Sequence, residues 1–259
     1  MKNRLLTMIR GWLWLLSLVA LVMVTGCGSP STGDSMDAQN TTPPGSSQRA
    51  ASISATNNSS IMSNLSRLEG KATIVMTVNG SPITIEVDGE AAPITAGNFV
   101  DLVNRGVYDG VSFHRVVRDP QPFVVQGGDP QSKDETVPTS RLGTGGFIDP
   151  ETSQQRYIPL EIKPRNADEP IYGKTFDQAK INVAPVLSHT RGAVAMARSA
   201  LPDSASSQFY FALSDLPFLD GNYAVFGYVV DGMAVVDQIE QGDRIESAKI
   251  ITGLENLQN

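Results

Sequence analysis

Few residues in this chain of 259 have the type and spacing to do chemistry. One cysteine, Cys27, and two histidines, His114 and His189, make up the supply of thiol and imidazole. That is too little for a disulfide framework or a Cys-rich zinc module, so catalysis here is expected without a thiol and without a metal or other cofactor. Gly143 to Gly146 is glycine-rich, but no Gly-Lys-Ser or Gly-Lys-Thr follows and no strand-helix-strand unit surrounds it, which leaves phosphate binding a weak reading. Asp129, behind Gly127-Gly128, reads as a turn residue. His114 reads as a satisfied structural histidine, and Arg115 taken alone as a solvated arginine at a strand end. What these side chains do therefore depends on the elements that hold them.

A composition of 41% hydrophobic and 18% charged residues is enough to bury a sizeable core and excludes collagen, coiled coil and a multi-span membrane protein. The chain carries 20 Lys and Arg against 27 Asp and Glu, and three of the basic residues, Lys2, Arg4 and Arg10, fall before any acid. The remainder is acidic enough to repel a phosphate backbone, so no nucleic-acid partner is expected. Thr73 to Val78 and Ile83 to Val87 alternate about Asn79-Gly80, the pattern of a β-hairpin. After Pro93, Thr95 is placed to cap a helix with Phe99, Val100 and Val103 on one face, stopped at Arg105-Gly106. A second helix fits Met233 to Gln241, stopped at Gly242. Short β-rich runs lie between them: Phe113 to Val117, Phe123 to Gln126, Val194 to Ala197, Gln208 to Ala212 and Ala224 to Val230. By alternation Gln208 and Tyr210 share one face, Phe209 and Phe211 the other, and Val124 is in phase with Gln126. The pattern predicts a mainly β domain over 67–259, a closed antiparallel barrel with two helices rather than a parallel α/β sheet.

Five blocks carry a family resemblance: Phe113-His114-Arg115-Val116-Val117, then Phe123 to Asp129 (FVVQGGD), Gly143-Thr144-Gly145-Gly146, Ser207 to Phe211 (SQFYF), and Leu219 to Gly227 (LDGNYAVFG). In order and spacing they resemble the cyclophilin family of peptidyl-prolyl cis-trans isomerases across about residues 70 to 252. The resemblance implies an eight-stranded closed barrel capped by two α-helices, with a substrate groove outside one face. It implies Arg115 and Gln126 as catalytic residues, with Phe123, Val124, Tyr210 and Leu219 around a proline ring. Gln208 would hydrogen-bond the substrate, the Ala197-Arg198 backbone would run along the residue before proline, and Phe218 and Tyr223 would complete the groove. The implied partners are proline-containing polypeptides, met by a monomer.

The implied reaction needs no nucleophile, because its barrier of about 18 to 20 kcal/mol is the double-bond character of the amide. In the twisted transition state the prolyl nitrogen regains a lone pair, and a fixed donor aimed at it binds that state better than either planar isomer. Arg115, always charged and forked, suits that task. The chain departs from the compact family pattern in four places. Arg118-Asp119-Pro120-Gln121-Pro122 adds three residues between Arg115 and Phe123. Phe218 stands where many members have Trp, whose indole N–H the resemblance implies as a donor to cyclosporin-type cyclic peptides. Tyr223 stands where many have His, and 130–189 is longer, reading as a flap.

Residues 1–26 combine a basic start with an apolar run, Gly11 to Val24, of about 14 residues, short of the roughly 20 that cross a bilayer. With Val24-Thr25-Gly26-Cys27 it resembles a bacterial lipoprotein signal, which implies lipidation at Cys27. Residues 27–66, dominated by Ser, Thr, Asn, Gln, Gly and Pro, are expected to be a disordered tether spanning about 35 Å. The expectation is an exported, membrane-anchored lipoprotein facing the periplasm or cell exterior, in which the domain assists folding of exported proteins. A second reading is a weakly catalytic prolyl-peptide binding module or holdase, favoured by the insertion after Arg115.

Overall fold

The computed structural model describes residues 64–259, and the expected signal sequence, Cys27 and all but the end of the tether lie outside the described residues. The frame is one eight-stranded antiparallel sheet. Its strands are β2 (Lys71–Val78), β3 (Ser81–Asp88), β4 (Arg115–Val117), β5 (Val124–Gly127), β8 (Ala193–Met196), β9 (Phe209–Ala212), β10 (Val225–Asp231) and β11 (Ile245–Thr252), ordered β11-β2-β3-β10-β8-β9-β5-β4. Two smaller pairs accompany it, β1 (Arg67–Leu68) with β12 (Leu257–Gln258), and β6 (Glu161–Ile162) with β7 (Ile171–Tyr172). The β2–β3 hairpin turns at Asn79 and Gly80, both with positive φ, the two-residue turn whose twist matches its strands.

The closed barrel expected from the sequence is not formed, since the edge strands β4 and β11 share no ladder. With three residues, β4 offers few ladder groups. The edges meet just before it, where a single bridge pairs Ser112 with Arg244 and Phe113 N–H donates to the Asp243 carbonyl at 2.8 Å. β11 was not visible as a strand in the sequence. Its register shifts twice against β2, so only Ile245 and Ala248 are buried and the period of two is lost.

The inner face of the sheet carries Phe209 and Phe211 into a core with Phe99, Tyr108, Phe113 and Phe226. Phe99 lies 5.0 to 5.4 Å from the rings of Phe226, Tyr108 and Phe209. Phe99 belongs to α1 (Pro93–Asn104), which ends at Gly106 in the left-handed region, as its sequence implies. Its start differs. Ala92 is the N-cap and Thr95 does not cap. Pro93 lacks an N–H at the first position, and the Glu161 carboxylate accepts from Ile94 and Thr95 N–H at 3.1 and 2.7 Å. Burial holds the Glu161 carboxyl above its usual range, although these backbone donors oppose the shift.

The second expected helix, α3 (Met233–Gln238), stops short of Gln241 because Ile239 turns extended and buries itself. Besides these two, a four-residue α2 (Phe176–Ala179) lies within 130–189 and is held by a capping box between Thr175 and Gln178. That segment is not a free flap. Leu160, Ile162 and Phe176 form a small core of their own with Ala224. Among the described residues no helix is long and apolar enough to cross a membrane.

Candidate functional site

On the outer face, strand register places the site residues in a row. Arg115 on β4 stands opposite Gln126 on β5, Gln126 opposite Tyr210 on β9, and Tyr210 opposite Ala195 on β8. Arg115 Nη1 donates to Gln126 Oε1 at 3.3 Å, Gln126 Nε2 to Gln208 Oε1 at 3.1 Å, and Gln208 Nε2 to the Gly145 carbonyl at 2.7 Å. The exposed guanidinium is thus aimed by a chain of amides that ends on a main-chain oxygen. It also lies over the Phe123 ring, 5.6 Å from the centroid, which holds its plane.

Beside this fork is a cavity of about 170 Å³. Arg115, Phe123, Val124, Gln126, Ala197, Arg198, Tyr210, Leu219 and Tyr223 line it, so of the groove residues that the resemblance implies only Gln208 and Phe218 are not in its wall. Phe218, 63% exposed, stacks on Phe123 at 6.1 Å and 16° at the outer edge. Gln208 lines a second, larger cavity of about 620 Å³ that shares Gln126, Ala197 and Arg198 with the first and is walled by Gly145, Gln155 and Tyr157. Arg198 sits 4.7 Å over the Tyr223 ring and donates twice to the Asn222 carbonyl, fixing that wall. The insertion after Arg115 leaves this arrangement whole because it is tied at both ends. Arg118 donates to the Val236 and Asp237 carbonyls, and Ser214 Oγ donates to the Pro122 carbonyl at 2.7 Å.

Two sequence readings are corrected. Asp129 is a fully buried anchor and not a simple turn residue. It accepts from Gly143 N–H at 2.7 Å, Gly145 N–H at 3.1 Å and Gln131 N–H at 2.9 Å, so it holds the loop that carries the Gly145 carbonyl. A Cβ on Gly145 would lie 2.3 Å from that carboxylate, which accounts for glycine there without any phosphate. His114 is not a satisfied histidine. Neither ring nitrogen has a partner among the described residues, and burial holds its pKa below the usual imidazole value.

His189 is the polar residue the sequence reading missed. It is 2% exposed, its Nδ1 lies 2.8 Å from Asp220 Oδ1, and its Nε2 lies 2.9 Å from Tyr210 Oη behind the small cavity. The one available signal was the tyrosine at 210 within a run of phenylalanines, because a buried phenol needs a partner.

Residues 73–255 match the model of the cyclophilin type peptidyl-prolyl cis-trans isomerase/CLD family. A Synechocystis protein named for a thylakoid lumen peptidyl-prolyl cis-trans isomerase is 45% identical over 76% of this chain and 51% of its own. The chloroplastic peptidyl-prolyl cis-trans isomerase CYP38 of Arabidopsis thaliana is 40% identical over 76% of this chain and 46% of its own. The chain thus spans about half the length of these two relatives. The fold is similar to the crystal structure of a cyclophilin type isomerase of Cryptosporidium parvum, with a TM-score of 0.52 at 22% identity, covering 70% of this chain and 98% of that one.

Proposed function

We propose, from the premise that this chain belongs to the cyclophilin-type peptidyl-prolyl cis-trans isomerase family, that it interconverts the cis and trans forms of X-Pro bonds in exported polypeptides. The observation that carries the reading is the exposed Arg115 fork, aimed by Gln126 and Phe123, at the rim of the 170 Å³ cavity. In this reading the pyrrolidine ring enters between Phe123, Val124, Tyr210 and Leu219. Arg115 donates to the prolyl nitrogen as it pyramidalises, and Gln126 holds the fork in register so that little reorganisation is needed at the transition state. The Ala197-Arg198 backbone and Gln208 receive the residues before proline, and the second cavity takes a side chain further along. The tied insertion weighs against the binding-module alternative. A protease-coupled cis-trans assay on a proline tetrapeptide tests the reading, and a rate equal to the uncatalysed one sinks it.

Export by the leader and lipidation at Cys27 belong to the same proposal. The name of the thylakoid lumen relative supports export, while the anchor rests on the sequence alone. Native protein is expected to partition with membranes, and Cys27→Ser to lose both the lipid mass and the partitioning while keeping isomerase activity. One acyl chain, at about 0.8 kcal/mol per buried CH₂, holds only marginally, whereas two or three make release negligible. An unmodified mature N-terminus by mass spectrometry would refute the anchor.

Phe218 yields a binding prediction. It offers a ring to the groove but no N–H, so cyclosporin-type peptides should bind weakly and Phe218→Trp should tighten them by about the 0.5 to 1.5 kcal/mol of one neutral hydrogen bond. Unchanged affinity by calorimetry would show that the indole donor is not the cause.

A further inference from the structure

Behind the small cavity lies a chain of polar groups that the proposed chemistry does not use. Asp220 Oδ1 accepts the backbone N–H of His189 at 2.8 Å and faces His189 Nδ1 at the same distance. On the other side of the ring, Nε2 lies 2.9 Å from the hydroxyl of Tyr210, whose ring is nearly parallel to the imidazole at 16°. Because an ionised carboxylate only accepts, Nδ1 carries the proton and Nε2 keeps its lone pair, so the Tyr210 hydroxyl donates backwards, away from the cavity. The cavity then sees an apolar ring face, which is what a proline ring requires.

We infer that His189 is a positioning residue for the proline cavity: set by Asp220 as the acceptor for Tyr210, it fixes the ring that forms the cavity wall, and peptide affinity falls when it takes up a proton. The inference rests on the reading of this cavity as the prolyl site. Once Nε2–H is a donor, Tyr210 has to accept from it, and the hydroxyl hydrogen swings to the other side of the phenol with its old partner gone. The wall of the cavity then holds either an unpaired donor or a displaced ring.

The groups facing this trio leave His189 as its titrating member near neutral pH. Tyr223 packs edge-on against Tyr210 at 6.2 Å, and the Arg198 guanidinium lies over Tyr223. From β10, the Tyr228 hydroxyl is engaged by the N–H and carbonyl of Ser188, and Arg191 is turned away to the Leu213 carbonyl and Asp237. Burial lowers the His189 pKa and Asp220 opposes that shift, so the proton enters below the usual imidazole range.

The test combines long-range nitrogen-15 NMR of the histidine rings in the full chain with KM, kcat and the Kd of a proline tetrapeptide between about pH 7.5 and 4.5. With only two histidines in the chain, the His189→Phe spectrum assigns the signals by difference. The expected result is the Nδ1–H tautomer at neutral pH, and a rise in KM and Kd across the His189 titration of about three- to tenfold, the size of one neutral hydrogen bond, with kcat moving less than about twofold. His189→Phe should show a raised KM with no pH step. Tyr210→Phe should also lose the step in KM and Kd, while His189 itself still titrates in the NMR spectra. An Nε2–H tautomer, or a step that survives in Tyr210→Phe, overturns the inference even if His189→Phe does not fold. Absent turnover with a Kd that still follows the His189 titration overturns the isomerase reading and upholds this one.

Discussion

Arg115→Ala is expected to lower kcat/KM for a proline tetrapeptide by about 10- to 150-fold, with the fold and its melting temperature little changed. The size follows from one charge-assisted hydrogen bond, about 1.5 to 3 kcal/mol, realised only when the prolyl nitrogen is pyramidal. Stability is spared because the side chain is exposed and its partners are the amide of Gln126 and the face of Phe123, both of which water can reach once the guanidinium is gone. Arg115→Lys should recover only part of the rate. An ammonium keeps the charge, but it cannot hold the Gln126 oxygen and the substrate nitrogen in one plane or lie flat on Phe123. A protease-coupled assay decides: a variant as active as its parent removes Arg115 from the mechanism, and an equal loss in both variants with a fallen melting temperature would assign it a structural role instead.

How far the sequence could be read depends on the range of the forces involved. The β2–β3 hairpin was legible because a period of two and an Asn-Gly turn are local signals, and Phe209 and Phe211 were legible as core by the same alternation. The groove was legible through the family resemblance, since Arg115 and Phe123 taken alone are an ordinary arginine and an ordinary core ring. Partners distant in sequence were not legible. Glu161 caps a helix 67 and 66 residues before it, Asp129 holds a loop 14 and 16 residues on, and His189 joins Tyr210 and Asp220 at separations of 21 and 31. Each is a buried polar group satisfied by whatever the fold brings to it, and no local periodicity encodes that. Closure failed for a related reason. Strand number is a count of local patterns, whereas closure needs the two edges in register, and here β11 is bulged and β4 is three residues long.

The largest effect on stability is expected from Asp101→Ala, a loss of about 3 to 5 kcal/mol, the usual cost of leaving a buried charge without its partner. Asp101 lies in α1 with a side chain only 3% exposed, and it is shared. Arg105 Nε donates to both carboxylate oxygens at 2.8 and 2.9 Å, and Arg156 Nη1 reaches the same carboxylate from 55 residues away. The two arginines differ in what they lose. Arg105 is 37% exposed and can turn to water, whereas Arg156 is 13% exposed, lies 4.8 Å over the Phe147 ring, and keeps only Asp149 at 3.2 Å. The cost therefore falls on Arg156. Asp101→Ala with Arg156→Met should regain much of the loss, because removing both partners removes the stranded charge. Arg156→Met alone should cost less than Asp101→Ala, since Arg105 still satisfies the carboxylate. Against a domain stability of about 5 to 15 kcal/mol this is a large fraction, and urea unfolding of the three variants measures it directly. A loss below about 1 kcal/mol in Asp101→Ala would mean that Arg156 swings out to water. Because Gln155 and Tyr157 flank Arg156 and both line the larger cavity, such a swing should be read there first, as weaker discrimination among peptides at positions remote from the proline.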